Sequence, residues 1–79
     1  MTDTPAPDRT LDAKGLLCPM PIVKLSRLVK EMTADEVVLL EATDPGSIPD
    51  VTAWAKQTGN SLVAHEKAGN VMRFWIRKK

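Results

Sequence analysis

Apolar and polar positions along the chain follow different rhythms in different stretches. Between residues 19 and 32, Ile22, Leu25, Val29 and Met32 fall at i, i+3, i+7 and i+10 with Leu28 beside them. Lys24, Arg27, Lys30 and Glu31 take the other side. This is one face of a 3.6-residue period, and it predicts an amphipathic helix that opens at Pro19 or Met20 and runs to about Met32. The run "EVVLLEA" (36–42) is β-branched and nearly all apolar at its centre, as an interior strand requires. The last segment alternates: Met72, Phe74 and Ile76 against Arg73, Trp75 and Arg77, which predicts a strand with one apolar face and one wet face.

The remaining segments fit between these. "TLDAK" (10–14) predicts a short strand with Leu11 and Ala13 on one side, broken by Gly15. "TDPGS" (43–47) carries turn chemistry, with proline setting φ and glycine supplying a permissive position after it. Ser47 is placed to cap a second helix, with Pro49 tolerated in its first turn and Asp50 as capping-box partner. Ile48, Val51, Trp54 and Ala55 give that helix a buried side, and Gly59-Asn60 stops it near residue 58. "SLVAHEK" and "NVMRFWIRK" read as a hairpin turning near Ala68 and Gly69. The order is therefore β-α-β-α-β-β. Right-handed crossovers place both helices on one face of a four-stranded mixed sheet, an α/β (α+β) two-layer sandwich with the other sheet face open.

At 79 residues, 43% hydrophobic and 27% charged, the chain has the composition of an ordinary small globular domain. The opening "MTDTPAPDR" lacks the apolar core of a signal peptide and reads as a disordered tail over 1–9, leaving a single domain over 10–79. No apolar run is long enough to span a bilayer, so no membrane association and a cytoplasmic address are expected. The single cysteine, Cys18, excludes an internal disulfide and a Cys-x-x-Cys pair. With His65 the only histidine, no metal site or cofactor is expected. The net charge of +1 conceals segregation. Lys14, Lys24, Arg27 and Lys30 lie in an acid-free stretch around Cys18, whereas residues 31–55 hold six carboxylates and no base.

That setting gives the lone thiol its interest. In "AKGLLCPMPIVK" (13–24), Cys18 directly precedes Pro19-Met20-Pro21 at the start of the predicted helix. The first N–H groups of a helix have no internal partner, so prolines are tolerated there and rigidify the turn. The N–H groups of Met20 and Ile22 are then candidates to face a cysteine thiolate. A helix N-terminus stabilises such an anion by about 0.3–1 kcal/mol when exposed and up to ~2 when partly buried. Lys14 and Lys24 would add to this. The pattern favours a reactive thiol over a buried structural one. Hydrolytic thiol chemistry needs a base and an orienting group, and His65 lies far along the chain on a strand, more consistent with packing than catalysis. Dithiol exchange lacks its second cysteine. A single activated sulfur suits carriage: Cys18 takes an outer sulfur as a persulfide and surrenders it to a thiol supplied by another protein.

The residues resemble a known family at this point. "LDAKGLLCPMPIVK" resembles the Cys-Pro-x-Pro signature of the TusA/SirA-like sulfur carriers, "ATDPGSIPDVTAW" resembles their second block, and "RFWIRKK" their last strand, in register from about Thr10 to Lys79. The resemblance implies sheet order 1-2-4-3 with the last strand antiparallel to the rest. It implies that Cys18 accepts sulfane sulfur from a cysteine desulfurase or a rhodanese-type donor and passes it to acceptors such as DsrE-like relay proteins. Those acceptors feed tRNA 2-thiouridine formation or, in sulfur oxidisers, dissimilatory sulfur traffic; similar carriers are tied to molybdenum cofactor or selenium metabolism. Cys18, Pro19, Pro21, Gly15, Asp12 and Asp44 carry over by position, the two aspartates as loop-organising residues. Such a protein is a sulfurtransferase-like carrier rather than a self-contained enzyme.

Met20, which stands at the family's variable position, and Leu17 would give the thiol an apolar rim, and Lys14, Leu17, Lys24 and Arg27 are candidate partner-docking residues. The alternative is a non-catalytic regulatory or RNA- or protein-binding module. Trp75 between Arg73 and Arg77 on the wet sheet face would then serve as a stacking platform, although direct nucleic-acid binding is the weaker expectation. The modest charge and the absence of an evident exposed apolar stripe suggest a monomer.

Overall fold

The structure, a computed structural model, describes residues 6–17 and 19–79. Its elements are β1 (Arg9–Ala13), α1 (Met20–Glu31), β2 (Val37–Ala42), α2 (Ser47–Thr58), β3 (Ser61–Ala68) and β4 (Val71–Arg77). β1 pairs with β2 in parallel, and β4 lies antiparallel to both β2 and β3, giving the order β1-β2-β4-β3. This is the expected two-layer α+β sandwich, with its shortest dimension of 19 Å accommodating one sheet and one layer of helices about 10 Å thick.

The alternating and helical periods meet in one core. Leu25, Val29 and Met32 of α1 and Val51, Trp54 and Ala55 of α2 close over Ala13, Val38, Leu40, Met72, Phe74 and Ile76 of the sheet. Leu25, Leu40, Phe74 and Ile76 are fully buried, each worth about 1.5–3 kcal/mol against exposure. Trp54 also anchors the two helices to each other, its Nε1–H donating to Ser26 Oγ at 2.8 Å. At the far end of α1, the Lys78 ammonium donates to Val29 O and Met32 O, both at 2.7 Å, and so caps the last turn of the helix, where Val29 O also accepts the Met32 N–H.

Three expectations are corrected. α2 is capped by the backbone of Gly46, and Ser47 is its first helical residue, with no side-chain capping bond. Asp44 takes over the turn, its Oδ1 accepting the Gly46 N–H at 3.1 Å. Ser47 is buried at 1% exposure, and its hydroxyl has no partner among the described residues. Ile48 belongs to the apolar stripe of α2 but is 40% exposed, because the first turn of the helix extends past the core that covers Val51. Trp75 is only 7% exposed and so cannot offer an open stacking platform. β4 is an interior strand, and Leu39 and Ala64 flank the indole from β2 and β3. α1 begins at Met20, one of the two starts expected, so Pro19 occupies the cap position, with φ −98° and ψ 16°, and Pro21 the second helical position.

Candidate functional site: two loops at the carboxyl end of the parallel strands

Because β1 and β2 run parallel and in register, Ala13 opposite Ala42, both deliver their following loops to the same end of the sheet. The crevice beyond the carboxyl ends of parallel strands is where α/β sheets place their sites. The first loop carries residues 14–19 into α1, and the second carries residues 43–46 into α2. Cys18 lies outside the described residues; its neighbours on both sides define its frame.

The first loop turns at once. Asp12 Oδ1 accepts the Lys14 N–H at 3.0 Å, and the Leu16 N–H donates to Ala13 O at 3.2 Å. Gly15 sits between with φ +82°, a conformation glycine adopts without steric cost. The Gly15 N–H crosses to the second loop and donates to Thr43 Oγ1 at 2.9 Å. The second loop is held by Asp44 as described, so each aspartate orders its own turn and Thr43 joins the two. The Met20 N–H donates to Leu17 O at 2.9 Å. It is thereby withdrawn from the role expected for it, because the chain tightens into a short turn before the helix. Pro21 has no N–H to offer.

The charges are arranged differently from the sequence expectation as well. On the open sheet face, directly paired positions form a row across all the strands: Asp12, Glu41, Arg73 and Glu66. Arg73 bonds Glu41 and Glu66 at 3.0 Å each, and these hydrogen bonds, Glu41's first, hold its guanidinium more firmly protonated than a free arginine. Lys14 joins the row, its ammonium 3.6 Å from Glu41 and 3.9 Å from Asp12. Two carboxylates therefore meet the charge expected to assist the thiol. Lys24 and Arg27 lie exposed on α1, and among the described residues neither takes part in an ion pair.

The two side chains expected to form an apolar rim are open to solvent, Leu17 being 74% exposed and Met20 42%, and Ile48 in the first turn of α2 is exposed as well. Beside Pro19, a shallow groove of about 310 Å³ runs between the helices, lined by Pro19, Ile22, Asp50, Ala53, Trp54 and Gln57. Exposed Leu and Met side chains around a site bury apolar surface when a partner lands and cost free energy when none does. Among the described residues, no three metal-ligating side chains converge. Thr43 and Ile48 are the site residues that reading the sequence missed. Ile48 was assigned to the core by its period, and Thr43 acts on a backbone amide 28 residues away, a contact for which no local signal exists.

A small α+β sandwich with two βα loops set side by side and exposed apolar side chains at a helix start defines the structural class. Residues 9–78 match the family described as sulfurtransferase TusA, and the chain belongs to that family. It is 44% identical over 71 residues to the sulfur carrier protein TusA of Allochromatium vinosum, covering 90% of this chain and 93% of that one. It is 50% identical over 68 residues to YrkF of Bacillus subtilis, covering 86% of this chain but only 37% of the longer relative. The fold also matches a SirA-like protein from Desulfitobacterium hafniense, with a TM-score of 0.78, 25% identity, and coverage of 87% of this chain and 95% of that one. The four-stranded mixed sheet and its order agree with the architecture this resemblance implied. No helix among the described residues is long and apolar enough to cross a membrane.

Proposed function

We propose that this protein carries sulfane sulfur on Cys18, receiving it from a persulfide-bearing donor and handing it to an acceptor thiol. The observation that carries the reading is the coincidence of the family's Cys-Pro-x-Pro at residues 18–21 with a loop that is braced from a second loop and carries the exposed apolar side chain of Leu17, with exposed Met20 at the start of the helix. In the loading step, the Cys18 thiolate attacks the outer sulfur of the donor R–S–SH. The donor's S–S bond breaks as the Cys18 S–S bond forms, R–S⁻ leaves, and the proton stays on the transferred sulfur; no external oxidant or reductant is consumed. Attack by an acceptor thiolate on the outer sulfur of Cys18–S–SH reverses the roles. The donor is a cysteine desulfurase or a rhodanese-type protein, and the acceptor a DsrE-like relay protein. Leu17, Met20 and Ile48 supply the apolar contact at the thiol, and Lys24 and Arg27 meet acidic residues on the partner. Burial of Trp75 removes the feature that most favoured an RNA-binding module.

Intact-mass spectrometry tests the reading. Incubation with a cysteine desulfurase and cysteine, or with a rhodanese and its donor, adds the mass of one sulfur atom to the wild type. Reductant removes it, and Cys18→Ser stays folded and unloaded. A wild-type chain that gains no sulfur from either class of donor rejects the assignment.

A further inference from the structure

We propose that Thr43 is a positioning residue for the carrier loop, locking the peptide that opens it; this rests on the sulfur-carrier reading for its functional consequence, though not for its structural one. The Leu16 N–H to Ala13 O bond closes a four-residue turn, and φ of +82° at its third residue, Gly15, is the signature of type II geometry. Type I and type II turns follow nearly the same chain path and differ by a flip of the central peptide. Here that peptide joins Lys14 to Gly15, and its N–H is the one that reaches Thr43 Oγ1 at 2.9 Å. Among the described residues, Thr43 Oγ1 is the acceptor that this N–H finds. Glycine adopts either sign of φ with similar ease, and a Cβ built on Gly15 would meet nothing within 4 Å, so packing does not hold it. The choice falls to one acceptor on the neighbouring loop. Thr43 stands directly after β2, and the parallel pairing of β1 and β2 brings it across the crevice from Gly15. When the peptide flips, the bond that ties the first loop to the second is lost, the segment leading into residue 18 is no longer fixed against the second loop, and the fraction of encounters that transfer sulfur falls.

Thr43→Val deletes the acceptor while keeping the branched shape, and Thr43→Ser keeps the acceptor while losing the methyl. In native-state exchange followed by NMR, the Gly15 amide of Thr43→Val exchanges about five- to tenfold faster than wild type, the loss of roughly one hydrogen bond; Thr43→Ser stays close to wild type. Under conditions where all variants are fully folded, sulfur loading of Thr43→Val slows by roughly three- to tenfold, and Thr43→Ser restores it. A purely structural role would move the urea midpoint and leave loading of the folded protein unchanged. Should valine compromise folding, Thr43→Ala deletes the same acceptor and is read in the same way. Unchanged Gly15 exchange in the acceptor-less variant overturns the proposal, as does normal loading, or a serine variant that behaves like valine. If the wild type itself takes no sulfur, the carrier reading fails, and the Gly15 amide still decides whether Thr43 holds the peptide.

Discussion

Ser47→Ala separates what the local sequence says from what the tertiary structure says, because the two demand opposite signs. Read from "TDPGSIPD", Ser47 is a helix cap, and its loss should cost about 0.5–2 kcal/mol. In the folded protein Ser47 is the first helical residue, 1% exposed, and its hydroxyl has no partner among the described residues. An unpaired buried hydroxyl costs roughly 1–3 kcal/mol of desolvation in mutational data, and alanine relieves that cost. Alanine also gains a few tenths of a kcal/mol, ~0.5 at most, in helix propensity. Against this stands a vacancy of about one atom, worth ~0.3 kcal/mol at the usual ~24 cal/mol per Å³. The net is a stabilisation of about 1 kcal/mol or somewhat more. In a domain of this size each kcal/mol shifts Tm by roughly 4–8 °C. Thermal unfolding followed by circular dichroism, with urea melts at constant m, reads this directly. A lower Tm for Ser47→Ala would refute the reasoning, since it would mean that the hydroxyl finds a partner worth more than its burial costs.

Further outcomes follow from the same coordinates. Lys78→Met deletes both ammonium bonds to the end of α1 and lowers stability by about 1–3 kcal/mol in urea melts; a neutral result would show that water replaces the cap without loss. Gly15→Ala is destabilised by roughly 1–2 kcal/mol through its positive φ alone, since its Cβ would meet open space. Chemical synthesis with D-alanine at position 15, which favours that φ, restores stability; equal loss with both enantiomers would point to a clash instead. The sulfur-carrier reading requires a Cys18 thiol that ionises at lower pH in the folded chain than in urea. Alkylation of Cys18 near neutrality is therefore faster when folded, an advantage that fades once pH is high enough to ionise the unfolded thiol as well. Equal or slower alkylation in the native protein contradicts a thiolate held for transfer.

The candidate site was legible in proportion to how local its chemistry is. Cys18 between a glycine-broken strand and two prolines stands out in the one-dimensional string, as do Asp12 and Asp44, which bond amides two residues on. Leu17 and Met20 were recognisable as a rim because they precede, or open, the apolar stripe of α1. Ile48 was not, because the period of α2 carries no information about where the core ends. Trp75 alternates with arginines and so reads as solvent-facing; only the strand order, which puts β4 between β2 and β3, shows that neighbours flank it on both sides.

What the amino-acid order determined by itself were the elements, their sequence along the chain and the place of the lone sulfur before two prolines. Those depend on contacts within about one helical turn or one hairpin, where side-chain period, proline and glycine are decisive. The tertiary structure alone decided which groups end up satisfied. Parallel pairing of β1 and β2 gave Gly15 its acceptor on Thr43 and drew Lys14 into a row of carboxylates, while the start of α2 left the Ser47 hydroxyl buried without a partner among the described residues. Hydrogen bonds and ion pairs between distant segments depend on ångström-scale placement, and that placement exists only after the hydrophobic core has brought the loops together.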